Sequence, residues 1–397
     1  MTKYDLCVVG GCGHVGLPLS ITFASKGLKV CIYDINQDIL EAVLNGNMPF
    51  LEEGADKLLK ATIRKTLFAT NDPKVILDAR FIIITIGTPV DEHLNPKFTV
   101  MKNFFKSILP YLRDGQHIII RSTVFPGTTE KIYEFLRNNG LKVKVSFCPE
   151  RIAQGKAIQE LSSLPQIISG FEDEAISEAC NLFRILNQDI IVLTPIEAEL
   201  AKLFTNTWRY IQFAIANQFY IIATGYGLDF YKIYDAMKYK YPRAKDFPPA
   251  GFTAGPCLFK DTMQLAAFNN NTFFLGHAAM LVNEGLPNFI VQRLKDRYSL
   301  RNKTVGILGM AFKADSDDKR ESLSYKLKKI LEIEAKKVLC SDVYIREEGF
   351  VSAQELIRNS DIVILGAPHK RYKRYKDLIS NKILVDVWNF FGKGGLF

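Results

Sequence analysis

The opening residues constrain the fold of this chain more tightly than any other stretch. Residues 5–10 (DLCVVG) are a short apolar run that passes straight into Gly11-Cys12-Gly13-His14-Val15-Gly16. A helical pattern follows through Leu19, Phe23 and Ala24, and a second apolar run at 29–33 ends at Asp34. Strand, glycine turn, helix and strand in that order predict a βαβ unit with G-x-G-x-x-G at its first turn. Gly11 is expected to permit the tight turn, Gly13 to let a pyrophosphate approach the backbone, and Gly16 to let helix and strand close together. The helix N-terminus would then face the phosphates. An acid at the end of the second strand accepts hydrogen bonds from a ribose 2′-OH and repels a 2′-phosphate, so Asp34 points to NAD rather than NADP. A glycine turn alone would equally suit a structural bend; the flanking strands and Asp34 favour the dinucleotide.

Further strand candidates at 81–85, 117–120 and 143–146 each follow a plausible helix. They lead into Gly87-Thr88-Pro89, into Arg121-Ser122-Thr123 and the turn to Thr128, and into Cys148-Pro149-Glu150-Arg151. Ligands of an open parallel sheet bind at such C-terminal strand ends. Loop capping is the competing reading of Thr88 and Thr123.

Residues 197–224 contain neither proline nor glycine and carry apolar residues at helical spacing, which predicts one helix of about 40 Å. Glu199, Lys202 and Asn206 share a face of it, with Arg209 on the same stripe. From spacing alone that strip reads as the solvated side of the helix, with a pocket lining as the alternative. Helical patterns continue to 295, and strand character returns at 303–309, 337–340, 362–365 and 383–387, with a helix near 321–334. This second sheet lacks the glycine signature, yet residues 306–313 offer backbone donors and a cation at a strand end, a setting for a diphosphate. The predicted fold is α/β: two Rossmann-like parallel-sheet domains joined by a long central helix and a helical middle domain, divided as 1–194, 195–298 and 299–397.

A chain of 397 residues has room for these domains, and each can build its own core. Its charge of +9 suits an anionic substrate at least as well as a nucleic acid. The one aromatic-basic stretch, Tyr239-Lys240-Tyr241-Pro242-Arg243, is too short and ungrouped to suggest RNA. No run is long and apolar enough for a membrane span, and the N-terminus enters a strand pattern without a secretory leader. Seven cysteines without a CxxC pair and five scattered histidines suggest neither a disulfide framework nor a metal site. A cytoplasmic protein without a metal is expected.

Seven separated motifs extend this reading: GGCGHVG (10–16), IGTP (86–89), RSTVFPGT (121–128), CPERIAQG (148–155), EAELAKLFTNTWR (197–209), GFTAGPCLFKD (251–261) and GMAFKADSDDKRES (309–322). In that order, from residue 5 to about 390, they resemble the UDP-glucose/GDP-mannose dehydrogenase family of nucleotide-sugar 6-dehydrogenases. The resemblance implies oxidation of a sugar C6 alcohol to a carboxylate with two NAD⁺, through a cysteine thiohemiacetal and thioester. Cys257 matches the nucleophile. Lys202 and Asn206 match the pair that donates hydrogen bonds to the oxygen at C6, which displaces the solvated-face reading of that strip. Glu150 matches the carboxylate associated with thioester hydrolysis, and Thr123 and Asp261 match residues that order water and the catalytic groups. Between Glu150 and Asp261 the proton acceptor stays open. At the cofactor the resemblance implies Gly11, Gly13, His14, Val15, Gly16, Asp34, Thr88, Thr123 and Lys260. At the nucleotide sugar it implies Glu150, Arg151, Lys202, Asn206, Phe252 and Gly255 of the 247–255 loop, and Phe312 and Lys313. Arg243 is a candidate for the arginine that members place in the partner subunit's pocket, and the long helix resembles the family's dimer-forming element. A homodimer or higher homo-oligomer is therefore expected.

The chain departs from the family pattern at Thr253-Ala254-Gly255-Pro256, where a glycine-rich run is usual. Cys340-Ser341-Asp342-Val343 lacks a proline often found after that aspartate, and Trp388 stands where arginine is frequent. These changes bear on the substrate. The segment 257–265 looks like enzymes acting on UDP-glucose or GDP-mannose, whereas Tyr241-Pro242-Arg243 looks like those acting on UDP-N-acetylhexosamines. UDP-glucose is slightly favoured, with UDP-N-acetylmannosamine or UDP-N-acetylglucosamine as alternatives. A single-step hydroxy-acid dehydrogenase and a non-catalytic nucleotide-binding scaffold are the remoter readings; neither needs Cys257.

Overall fold

The computed structural model describes residues 2–91, 97–252 and 255–392. The chain splits into two compact units, Met1–Thr205 and Asn206–Phe397. The division falls within one 31-residue helix, Pro195–Gly225.

Unit 1 is built on strands β1 (Tyr4–Val9), β2 (Val30–Tyr33), β3 (Leu67–Thr70), β4 (Ala79–Ile84), β5 (His117–Ile120) and β6 (Lys144–Phe147). They form a parallel sheet in the order β3-β2-β1-β4-β5-β6. Helices cover both faces of such a sheet, so its central strands are continuous apolar runs. Phe81-Ile82-Ile83-Ile84 and Ile118-Ile119-Ile120 are buried accordingly. Strand order reverses between β1 and β4, which opens a crevice at their C-terminal ends. A separate parallel pair, β7 (Gln166–Ser169) and β8 (Ile190–Leu193), precedes the long helix. Residues 67–70, 166–169 and 190–193 carried no strand expectation.

At the start of the long helix the N3 glutamate reaches back to the residue preceding the helix. Glu197 accepts hydrogen bonds from the Thr194 N–H at 2.8 Å and its hydroxyl at 2.7 Å, and Pro195 needs no N–H partner in the first turn. At about 1.5 Å per residue the helix is about 46 Å long, slightly longer than 197–224 implied. In unit 2, strands β9 (Thr304–Leu308), β10 (Lys337–Ser341), β11 (Ile362–Leu365) and β12 (Ile383–Val385) form a second parallel sheet, ordered β10-β9-β11-β12. The fold is thus two Rossmann-like parallel sheets with helical connections. Among the described residues no helix is long and apolar enough to cross a membrane, and no cluster of three His, Cys, Asp or Glu side chains is set to hold a metal.

One buried side chain gives unit 1 a pH response. His117 is fully buried, 2.8 Å from Ser146 Oγ and 3.2 Å from Glu178. Burial pulls its imidazole down to about 4, although the Glu178 carboxylate pulls the other way. In the unfolded chain a histidine titrates near 6.5, so between those values the unfolded state binds the extra proton. Stability from this group is therefore complete above pH 6.5 and lost as the pH falls towards 4, by about 3 kcal/mol. Thermal melts should show the wild type losing Tm more steeply than His117→Gln over that interval. Parallel slopes would refute the assignment.

Candidate active site

The glycine turn after β1 is shaped by sterics at three glycines. Gly10, not Gly11, carries the left-handed conformation, with φ of +69°. Gly11 is required for a different reason than the expected turn: a Cβ there would lie 2.7 Å from Val8 O and 2.9 Å from Ile32. A Cβ on Gly16 would lie 2.6 Å from Gly11 Cα, so helix and turn close as expected. Gly13 is exposed, and a Cβ there would meet no atom nearer than 3.6 Å, leaving its backbone open to a diphosphate. Asp34 follows β2 and accepts from the Cys12 N–H at 3.0 Å and the Asn36 N–H at 3.0 Å. It is half-buried beside the turn, where a ribose diol would sit. The residues present therefore fit NAD. Val15 precedes the helix Gly16–Ser25, and the His14 ring lies 4.0 Å from that of Phe50.

The ends of β4, β5 and β6 meet. The Thr88 hydroxyl donates to the Thr123 carbonyl, so the two turns are tied to each other. After β6, Glu150 is almost fully buried and both of its oxygens are occupied. One accepts from Arg121 Nη2 at 2.6 Å and Nε at 3.2 Å; the other accepts from the Arg151 N–H at 2.7 Å and the Ile152 N–H at 3.1 Å. Arg121 also donates to Cys148 O and to Gln166, and its guanidinium lies 4.8 Å above the Phe183 ring. The Arg151 side chain turns back to the Pro165 carbonyl. No role was assigned to Arg121 from sequence, because its partners lie 27 to 45 residues away.

The polar strip of the long helix is buried, against the solvated-face reading from spacing, and it divides. Glu199 accepts from the Gly127 N–H at 2.6 Å and the Thr129 N–H at 2.9 Å, at the start of the helix Thr128–Asn138. A carboxylate is favoured at a helix N-terminus, so Glu199 anchors the long helix within unit 1. Lys202 and Asn206, one turn apart, are 9% and 6% exposed. Arg209 is exposed and does not join them.

In unit 2, Asn206 donates to Asp261 Oδ2 at 2.6 Å. Asp261 Oδ1 is 3.0 Å from Lys260 Nζ but outside hydrogen-bond geometry, so that oxygen keeps accepting capacity. Cys257 is the N-cap of the helix Leu258–Phe268, one turn before Asp261. Of the seven cysteines it is the exposed one; the other six are buried. Burial pushes Cys7, Cys12, Cys31, Cys148, Cys180 and Cys340 up in pKa, which leaves them as inert core thiols. Arg320, another residue without an expected role, is paired with Asp318, which raises its pKa first, and it also interacts electrostatically with Cys257.

The segment before the cysteine rests on the second sheet's loops. Thr253 and Ala254 lie outside the described residues. A Cβ on Gly255 would come 2.5 Å from the Phe312 ring, and one on Gly251 would come 2.3 Å from Trp388. Phe252 is buried between these contacts in sequence. Lys313 Nζ lies 5.7 Å from the Phe312 ring. The Met310 and Ala311 N–H groups, expected to face a diphosphate, instead donate to Asp342 at 2.6 and 3.1 Å. Buried carboxylates collect donors, and this one outcompetes solvent for them. Arg243 sits in a short 3-10 turn, exposed, against Tyr241.

Comparison with known proteins identifies the family. Models of the UDP-glucose/GDP-mannose dehydrogenase family match its NAD binding domain to residues 4–187, its central domain to 196–284 and its UDP binding domain to 306–393. A UDP-N-acetyl-D-mannosamine dehydrogenase of Pyrococcus horikoshii is 30% identical, covering 96% of this chain and 94% of its own. One of Methanocaldococcus jannaschii is 30% identical, with 98% and 93% covered. A solved UDP-D-ManNAc dehydrogenase from P. horikoshii superposes with a TM-score of 0.88 at 28% identity, covering 96% and 94%. A UDP-glucose dehydrogenase from Pyrobaculum islandicum does so with 0.86 at 25%, covering 96% and 93%.

Proposed function

The chain belongs to the UDP-glucose/GDP-mannose dehydrogenase family, and on that premise we propose that it oxidises the C6 hydroxyl of UDP-N-acetyl-D-mannosamine to a carboxylate. NAD-dependent oxidation of a nucleotide sugar at C6 is the family reaction. The lean towards UDP-glucose is revised because relatives named for UDP-N-acetyl-D-mannosamine match at 30% identity along nearly the whole chain. One observation supports the four-electron mechanism: the exposed cysteine is the one at a helix N-cap, in electrostatic interaction with Arg320.

NAD⁺, when bound, takes up one hydride in each of two oxidations. Between them the chain's own groups act. The alcohol first becomes an aldehyde, its hydride going to the oxidant and its hydroxyl proton to solvent water. Cys257 thiolate adds to the carbonyl carbon, and the resulting thiohemiacetal loses a second hydride to become a thioester. Helix N-terminus and Arg320 both favour the anionic sulfur. Lys202 and Asn206 hold the C6 oxygen as it gains negative charge. Water then adds to the thioester, releasing the carboxylate and the cysteine thiol. Thr123 orders that water, and Asp261 takes its proton. The spare oxygen of Asp261, set against the four donors that occupy Glu150, favours this division. Glu150 then fixes the Arg151–Ile152 turn.

Gly11, Gly13, His14, Val15, Gly16, Asp34, Thr88, Thr123 and Lys260 hold the cofactor. Arg151, Phe252, Gly255, Phe312 and Lys313 hold the nucleotide sugar, within domains 1–194, 195–298 and 299–397. The long helix pairs with that of a second copy: Phe204, Trp208, Ile215, Phe219 and Ile222 lie along one side and are each at least 40% exposed. Arg243 reaches the partner's pocket. The cytoplasm supplies both substrates.

The test is a parallel measurement of NADH from limiting UDP-N-acetylmannosamine, UDP-N-acetylglucosamine, UDP-glucose and GDP-mannose. Two equivalents are expected from the first. Two from another sugar would reassign the substrate, and one from any would replace the thioester route by simple alcohol oxidation.

A further inference from the structure

The order β10-β9-β11-β12 places the reversal of the second sheet between β9 and β11. Its ligand crevice is therefore bounded by the loops after those strands, 309–318 and 366–370. The two loops touch through backbone: a Cβ on Gly309 would lie 2.5 Å from Ala367 O. His369, fully buried, joins them. Its Nε2 lies 3.1 Å from Asp342 Oδ2, and its Nδ1 accepts from the Asp315 N–H at 2.9 Å.

These partners determine the imidazole's protonation. An N–H can only donate, so Nδ1 carries a lone pair, and the carboxylate can only accept, so Nε2 carries the hydrogen. A doubly protonated ring would set two N–H groups against each other at Asp315. Asp342 in turn takes the N–H groups of Met310 and Ala311 on Oδ2, and those of Tyr344 and Ile345 on Oδ1. Asp34 occupies the same place after the second strand of the first sheet. The Asp342 side chain is fully buried under its five donors. The second acid is thus withdrawn from ligand contact and converted into an anchor for the loop's entry, with His369 holding its exit at Asp315. Phe312 and Lys313 lie between the two anchors, and Phe312 packs against Gly255, two residues before Cys257.

We propose that His369 is a positioning residue: as a neutral Nε2–H imidazole bridging Asp342 and the Asp315 N–H, it fixes the 310–318 loop so that Lys313 meets the nucleotide and Phe312 seats the cysteine segment. It rests on the nucleotide-sugar reading above.

Two measurements on the full chain test it. Nitrogen-15 spectra of histidine-labelled protein, with His369 assigned by its loss in a variant, should show the neutral Nε2–H tautomer at pH 7. The Nδ1–H tautomer or an imidazolium there would overturn the proposal whether or not any variant folds. His369→Asn keeps an acceptor for Asp315, His369→Gln keeps a donor for Asp342, and His369→Ala keeps neither. Calorimetry with UDP should show affinity falling by about tenfold or more in the alanine variant, with the other two between. KM for the nucleotide sugar should rise in parallel, while NAD affinity stays within about twofold. Unchanged UDP affinity in a folded His369→Ala protein, or equal loss of NAD affinity, would sink the idea. A wild type that binds no UDP would instead overturn the underlying reading.

Discussion

Replacing Cys257 by serine is expected to lower acid formation by about 10⁴-fold or more while leaving NAD affinity within about twofold of wild type. The substitution is nearly isosteric at an exposed N-cap, so the helix Leu258–Phe268 should form as before. Serine is also a favoured N-cap residue, so the defect is one of chemistry rather than of fold. The chemistry explains the size of the effect. A hydroxyl at this place lacks the low-energy anion that a thiol can supply, and the N-terminal helix field and Arg320 cannot make up the difference. An aldehyde is then formed but not trapped, and the second oxidation has no thiohemiacetal to act on. Single-turnover measurements should therefore show at most one NADH per site, with no covalent adduct by mass spectrometry. Carboxylate formed by the serine variant at an undiminished rate would rule out the thioester route.

Features set by local sequence are legible in the sequence itself. The turn after β1, the helix behind it and Asp34 are contiguous, so glycine spacing and hydrophobic period specify them. Even there the left-handed residue is Gly10 rather than Gly11, because a glycine run shows only that some position needs the freedom. Strands β3, β7 and β8 carry little sequence signal, since four-residue segments give no clear period and Ile191 and Val192 of β8 are exposed. The strip on the long helix shows a second limit. Spacing put Glu199, Lys202 and Asn206 on one face, yet only packing separates the anchor at Gly127–Thr129 from the two side chains set near one another further along. Arg121 and His369 were invisible for a related reason. Each acts through partners far away in sequence, and a lone arginine or histidine carries no pattern of its own. The choice of sugar depends on pocket shape, and there whole-chain likeness to relatives outweighed individual motifs.

Lys202→Ala should lower kcat by about 10²- to 10³-fold, the usual cost of removing one donor to a developing oxyanion, with NAD affinity within about twofold of wild type. Lys202 is 9% exposed on a helix whose earlier turn is locked by Glu199, so its backbone position does not depend on its own side chain. In the proposed reaction Lys202 meets the C6 oxygen, which carries charge as alkoxide, as thiohemiacetal and during thioester hydrolysis. One fixed ammonium thus serves every step, and its loss should slow both oxidations and hydrolysis without selecting among them. Asn206→Ala should cost less, since an amide is a neutral donor and its hydrogen bond at 2.6 Å also serves Asp261. Lys202→Met separates charge from bulk: it retains most of the apolar stem, so a defect equal to that of alanine assigns the effect to the ammonium. Recovery of most of the activity in the methionine variant, or a loss of NAD affinity matching the loss of kcat, would make Lys202 a packing residue and remove it from the chemistry.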